Sequence, residues 1–177
     1  LLYGGGHHRT PYTWDKERVS SYIRYVDTDN QSHWLFDSFL FLEIMDTGTG
    51  GANKMFAKGY NLESANQADW TKLIDYYFQS ETGIGALDAS VKEASAILGT
   101  PRQKRQIVIS IPEPIVYQHP EQASSSTKYW GKIDNQTLDF SNSADRIKAC
   151  KWYIDQVRAK FNEKNYQHVE LAGFYWL

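Results

Sequence analysis

Two glutamates, Glu43 and Glu113, are the residues best suited to acid-base chemistry. Glu43 ends an apolar Phe-Leu-Phe-Leu run that has the pattern of a buried strand, and Glu113 lies between two prolines just after an Ile-Val-Ile run. Glycoside hydrolysis uses two carboxyl groups about 5 to 9.5 Å apart. We therefore name Glu43 and Glu113 as candidate catalytic residues. Two alternatives stay open: both position the substrate, or each has a structural role, Glu43 in an ion pair and Glu113 in a segment that only ends the strand.

Polar and aromatic side chains at strand ends and in loops are candidates for substrate binding. The sequence has 6 Trp and 12 Tyr, and 15% of its residues are aromatic. Aromatic rings offer flat faces to sugar rings, but they also bury large apolar bodies, so self-packing is the alternative for each of them. We expect a polysaccharide or oligosaccharide ligand. The candidate binding residues are His8, Arg9, Asp46, Ser110, Tyr117, Tyr129, Trp130 and Trp176.

Neither a metal nor a cofactor is expected. His7 and His8 are adjacent, and no third ligand is spaced to join them in a metal site. Cys150 is the single cysteine, which excludes an internal disulfide and a cysteine cage. It lies in a helical pattern, where a small core residue is the simplest interpretation and a reactive thiol the alternative.

Composition narrows the class of protein. The chain has 177 residues, 41% hydrophobic and 23% charged, which is enough to bury a core. A net charge of -2 without a long basic run argues against nucleic acid as a partner. No run reaches the roughly 18 apolar residues of a membrane span. The chain opens on Leu1 without a signal-peptide pattern, and we expect it to be an excised piece of a longer protein.

Strand and helix patterns alternate along the chain. Such alternation is typical of an α/β protein whose parallel strands are joined by right-handed crossovers. No G-x-G-x-x-G pattern follows the first strand, which disfavours a dinucleotide-binding sheet. Strands are expected near 1–5, 35–45, 106–111 and 169–177, and helices from 13, at 67–78, 84–98 and 144–165, with Val19, Ile23 and Val26 on one face of the first helix.

Two architectures accommodate four such strands, a small doubly wound sheet or half of a TIM-type (β/α)8 barrel. An unpaired aromatic last strand favours the half-barrel, with residues 1–177 as one domain or an N-terminal half. Its open edges would pair with a missing C-terminal half-barrel or with a second copy of the chain.

Strand alternation assigns side chains to the two faces of the expected sheet. We expect Leu40, Leu42 and Ile44 to face the helices, with Phe39, Phe41 and Glu43 on the opposite, inward face. In the third strand Ser110 points inward. In the last strand Glu170, Ala172, Phe174 and Trp176 are expected to point inward, which would place Trp176 against a bound sugar.

Six blocks of the sequence carry a resemblance to a known family. They are WLFDSFLFLE at 34–43, DW at 69–70 with YF at 77–78, ALD at 86–88, VISIPEP at 108–114, WYID at 152–155 and LAGFYW at 171–176. Together they resemble the N-terminal half of a bacterial family, domain of unknown function 4855, whose members are thought to form glycosidase-like barrels. The resemblance implies a TIM barrel that continues past this chain, and secretion to the periplasm or cell surface.

The function implied by the resemblance and the residues is that of a carbohydrate-active protein, glycoside-hydrolase-like, of which this chain is the substrate-binding half. The alternatives are a non-catalytic glycan-binding or cell-surface module, and a structural half that works only when joined to the remainder of the barrel.

Overall fold

The computed structural model describes residues 1–3, 13–47, 53–119, 121 and 126–176. Within these ranges the chain forms four helices and eleven strands. In chain order they are β1 (Leu2–Tyr3), α1 (Lys16–Ile23), β2 (Arg24–Val26), β3 (Ser32–Trp34), β4 (Ser38–Leu42), β5 (Met45–Asp46), β6 (Lys54–Met55), β7 (Glu63–Ser64), α2 (Gln67–Tyr77), α3 (Gly83–Leu98), β8 (Arg105–Ile111), β9 (Lys132–Ile133), β10 (Gln136–Thr137), α4 (Ser143–Lys164) and β11 (Val169–Trp176).

The largest sheet contains four parallel strands in the order β1-β4-β8-β11. The other strands form three small sheets: β2 with β3 and β9 with β10 are antiparallel, and β5-β6-β7 is mixed. The fold is therefore mixed α/β. The expectation of half a TIM-type barrel built from parallel β/α repeats is wrong, because every connection between strands of the largest sheet contains additional strands that pair locally.

The helix ends follow from local sequence. Asp15 caps α1 by accepting the Arg18 N–H at 2.9 Å, and Asn66 with Asp69 forms a reciprocal capping box at the start of α2. Gly83 opens α3 at a φ of +57°, where a Cβ would lie 2.7 Å from the Tyr77 carbonyl oxygen. That position accepts only glycine. Val26, expected on the face of the first helix, lies instead in β2 and is exposed.

One face of the largest sheet packs against the helices. Phe39 and Phe41 pair in register with Ile107 and Ile109, and all four are buried. The Phe41 ring meets Tyr77 of α2 edge-on, with ring centroids 5.5 Å apart. The expected orientation of β4 is therefore wrong, since its phenylalanines face the helices. Both faces of this strand are apolar, so alternation carried no signal to choose between them.

A β-bulge between Leu171 and Gly173 changes the orientation of β11 partway along. Before the bulge Leu171 pairs with Ile107, and after it Trp176 pairs with Ile111 on the same, helix-covered face. The extra residue reverses the alternation. The expectation that Phe174 and Trp176 point away from the helices is therefore wrong, and Tyr175 takes that orientation instead.

Candidate functional site

A buried carboxyl group lies at the carboxyl end of the central strands. Glu43 directly follows β4 and only 2% of its surface is exposed. Its Oε1 accepts the Ile44 backbone N–H at 3.0 Å. Its negative charge raises the pKa of both Tyr76 and Tyr77 of α2, so the two phenols lie within electrostatic range of it.

Tyr77 is the centre of a polar cluster in the core. Burial raises the pKa of its phenol well above the ordinary value, and Tyr153 and the charge of Glu43 raise it further, whereas the nearby Ser110 hydroxyl opposes the rise. Burial also raises the pKa of Tyr76, with a further contribution from Glu43. Both phenols therefore stay protonated at neutral pH. We call Glu43, Tyr76, Tyr77 and Ser110 the carboxyl-edge cluster.

Ser110 occupies the last part of β8, as expected from the sequence, and is 1% exposed. It pairs in register with Tyr175 of β11, so the two side chains share the face of the sheet away from the helices. Tyr175 is 45% exposed and is the aromatic residue that this face offers to solvent next to Ser110.

Glu113 lies just beyond β8, where Lys58 holds it. Its backbone N–H donates to the Phe56 carbonyl at 2.8 Å. Its Oε2 accepts the Lys58 backbone N–H at 2.7 Å, and its Oε1 lies 3.2 Å from Lys58 Nζ. Both oxygens are therefore engaged by the chain itself, which fits a structural anchor better than a reacting group.

The expected sugar-stacking residues of the loop after β8 differ in accessibility. Tyr117 is 37% exposed. Tyr129 is partly buried and donates its hydroxyl to the Ile115 carbonyl at 2.6 Å, and burial raises its pKa strongly. Trp130 is buried and packs against the rings of Trp70, Phe140 and Trp152. Trp130 is therefore part of the core and presents no ring face to a ligand.

The remaining expected site residues lie elsewhere. Asp46 lies in β5 in register with Lys54 and is partly buried. Trp176 is 60% exposed but lines a groove against α4 with Pro114 and Ile147, away from Ser110. His8 and Arg9, like His7, lie outside the described residues.

Sequence reasoning missed Tyr76, Tyr77, Tyr175 and Lys58 as members of the site. Tyr77 belongs to the apolar stripe of α2. The sequence does not distinguish a tyrosine whose hydroxyl has a role from one that only packs its ring in the core. Tyr175 was missed because a bulge leaves no clear pattern in the sequence. Lys58 lies outside regular structure, so no periodicity places it near Glu113.

Other classes of site find little support in the part of the chain that the structure describes. No group of three histidine, cysteine or acidic side chains there is placed to hold a metal ion. None of its helices has the length and apolar character to cross a bilayer. Cys150 is buried and free, and burial raises the pKa of its thiol to about 11, which makes the reactive thiolate scarce at neutral pH.

Comparisons with known proteins complete these observations. No curated protein and no solved structure gave a significant match to the chain. A family model described as Domain of unknown function (DUF4855) matches residues 1–177, which is the whole length of the sequence. The chain therefore belongs to the DUF4855 family.

Proposed function

We propose that this chain is a carbohydrate-active protein of the glycoside-hydrolase type, in which Glu43 supplies a reacting carboxyl group. The observation that carries the proposal is the burial of Glu43 with Tyr77 and Ser110 at the carboxyl end of parallel strands. Ligands of open α/β sheets bind beyond this end of the strands.

Burying the carboxyl group of Glu43 costs free energy. A buried carboxylate loses several kcal/mol of hydration, and purely structural cores usually avoid that loss. Sites that perform acid-base chemistry accept it, because burial and neighbouring groups tune the acid. Glu43, beside phenols that stay protonated, is such an arrangement.

The chemistry of the cluster suits a polyol. Sugar hydroxyls both donate and accept hydrogen bonds. A carboxylate accepts such bonds, while the hydroxyl of the exposed Tyr175 can do either. Tyr175, exposed beside Ser110, adds a ring face for the apolar side of a sugar. These groups support a substrate rich in hydroxyls.

The test of hydrolysis is the isosteric Glu43→Gln variant, assayed for reducing sugar released from a panel of polysaccharides. We expect the wild type to release sugar and the variant to lose activity by at least about a hundredfold, as when a general acid or base is removed. The control is Glu93→Gln, an exposed residue of α3 paired with Lys16, which should keep full activity. A Glu43→Gln variant that folds and retains wild-type activity would refute the assignment.

A second candidate, a non-catalytic glycan-binding module, is favoured by one observation. Glycoside hydrolysis needs two carboxyl groups, and Lys58 engages both oxygens of Glu113. If the chain only binds, glycan arrays will show retention while no sugar is released from the same glycans. Neither retention nor release on any glycan would contradict both candidates.

A further inference from the structure

Arg105 is a buried cation at the opposite end of the largest sheet. It is the first residue of β8, and 5% of its surface is exposed. Its guanidinium carbon lies 4.4 Å from the ring centroid of Trp34, so an aromatic face covers one side of the charge. Ser110 lies five positions further along β8, about 16 Å along a strand, which makes this a separate place from the carboxyl-edge cluster.

One hydrogen-bond donor of Arg105 has no acceptor in the described part of the chain. Its Nε is buried and donates to no acceptor there. Burial lowers its pKa, and the charge of Asp37 only partly opposes that effect. Among the described residues Arg105 forms no ion pair, in contrast to the seven pairs that are present. A buried guanidinium normally pairs with a carboxylate or phosphate, so an acceptor is missing.

A cavity adjoins this unpaired group. It has a volume of about 480 Å³ and is lined by Trp34, Leu35, Asp37, Thr100, Pro101, Arg102, Gln103 and Arg105. This volume lies within the range of small-molecule sites. Arg102 adds a second cation, and Thr100 and Gln103 add neutral polar groups. The rings and side chains of Trp34, Leu35 and Pro101 form an apolar wall.

The charges lining the cavity define the ligand. Arg102 and Arg105 contribute two positive charges and Asp37 one negative charge, which leaves one positive charge to be balanced. A monoanion satisfies this balance, whereas a dianion such as a phosphate ester meets repulsion from Asp37. The planar fork of arginine pairs with a carboxylate through two parallel hydrogen bonds, and the apolar wall favours a ligand with an apolar body.

We propose that this cavity binds a small monocarboxylate that carries an apolar or aromatic group, with the carboxylate held by Arg105 and Arg102 and the apolar group against Trp34 and Pro101. The inference does not depend on the carbohydrate proposal, because it involves different residues at the other end of the sheet.

The experiment titrates the intact chain with benzoate and follows the Arg105 Nε–H resonance by NMR and the melting temperature. We expect saturable shifts of that resonance and a rise in melting temperature with benzoate. Benzamide, its neutral isostere, tests the charge, acetate tests the apolar wall, and inorganic phosphate tests the preference for a monoanion. Each of these three ligands should bind at least about tenfold more weakly than benzoate, because each lacks one of the favourable interactions.

Two variants test the residues. Arg105→Met keeps the volume but removes the charge, and it should abolish benzoate binding while the ligand-free protein stays as stable as the wild type, because an unpaired buried charge contributes no net stability. Arg102→Ala, at the cavity wall, should weaken benzoate by about tenfold. Lys72→Ala, an exposed cation of α2, is the matched control and should change nothing.

Three results would overturn the proposal. The first is an absence of benzoate binding to the wild type. The second is benzamide binding as tightly as benzoate. The third is an Arg105→Met variant that folds and still binds benzoate with wild-type affinity. If Arg105→Met fails to fold, Arg102→Ala decides, because unchanged benzoate affinity in that variant also contradicts the site.

Discussion

Lys58 binds both carboxylate oxygens of Glu113, with its backbone N–H 2.7 Å from Oε2 and its Nζ 3.2 Å from Oε1. The pair joins the segment after β6 to the segment after β8. The Lys58 side chain is 60% exposed and that of Glu113 is 24% exposed. The ion pair itself is therefore largely solvated, and the hydrogen bond to the backbone is the part that fixes the two segments.

Glu113→Ala and Glu113→Gln should consequently differ in stability. The glutamine amide oxygen still accepts the Lys58 N–H, so Glu113→Gln should cost less than about 1 kcal/mol, the value of a surface ion pair. Alanine also removes the hydrogen bond to that exposed N–H and should cost about 0.5 to 1.5 kcal/mol more than glutamine does. Urea unfolding measures both, with Glu93→Ala on α3 as the exposed-pair control. Equal losses of stability in the two Glu113 variants would mean that the hydrogen bond to the Lys58 backbone contributes nothing beyond the ion pair.

Asp88 of α3 should contribute more to stability than its place on a helix surface indicates. Its Oδ1 accepts the backbone N–H of His168 at 2.7 Å and that of Val169 at 3.2 Å, which fixes the start of β11. Asp88→Ala should cost about 1 to 3 kcal/mol, because two amides lose their acceptor. Urea unfolding measures the loss, and faster hydrogen exchange at Val169 locates it.

Two comparisons test this account of Asp88. Asp88→Asn retains an acceptor oxygen and should recover most of the lost stability. Asp75 lies on the neighbouring helix α2 and forms an exposed ion pair with Lys160 of α4. Asp75→Ala should cost less than about 1 kcal/mol. A loss from Asp75→Ala as large as that from Asp88→Ala would show that the backbone contacts are not the cause.

Helix positions were predictable because their signals are local. Asn66 and Asp69 form a capping box before an apolar stripe, and α2 begins directly after Asn66. The helix expected at 144–165 is observed as Ser143–Lys164, where Asn142 caps the start and Asn165 ends it in the left-handed conformation at a φ of 48°. Such signals act within one turn, so distant residues do not change them.

Orientation and accessory strands were not predictable because they depend on tertiary pairing. Both faces of β4 are apolar, so only its register with Ile107 and Ile109 decides that Phe39 and Phe41 face the helices. The antiparallel β9–β10 hairpin turns through Asp134 and Asn135, both at positive φ, and its two-residue strands are too short to show alternation. The half-barrel expectation failed because such short pairs were treated as loops.

Asp139 should make stability depend on acid pH. Hydrogen bonds from Ser141 and Thr127 lower the pKa of its carboxyl to about 2. A carboxyl group with a lowered folded pKa stabilises the protein above its unfolded pKa of 3.8, and this contribution is lost as pH falls from about 4 to about 2. Asp139→Asn should therefore be less stable than the wild type at pH 6, and the difference should shrink toward pH 2.

Guanidinium unfolding at pH 6, 4 and 2.5 measures that difference. Asp155→Asn, an exposed residue of α4, is the control and should follow the wild type at every pH. A difference between Asp139→Asn and the wild type that is constant from pH 6 to 2.5 would mean that the carboxyl charge is not what stabilises the segment.

The bulge in β11 leads to opposite expectations for two neighbouring aromatic residues. Tyr175 pairs with Ser110 on the face away from the helices, whereas Trp176 pairs with Ile111 and borders α4. If glycans bind beside Ser110, Tyr175→Ala should weaken retention about tenfold, the value of one lost ring contact of about 1.4 kcal/mol. Tyr175→Phe keeps the ring and should bind nearly as well as the wild type.

Trp176→Ala, although it removes the more exposed ring, should leave affinity within about twofold of the wild type, because its ring lies on the other face. Electrophoresis through gels that contain the polysaccharide compares the three variants directly. Loss of retention in Trp176→Ala but not in Tyr175→Ala would place the glycan on the α4 side of the sheet and reject the role assigned to Ser110.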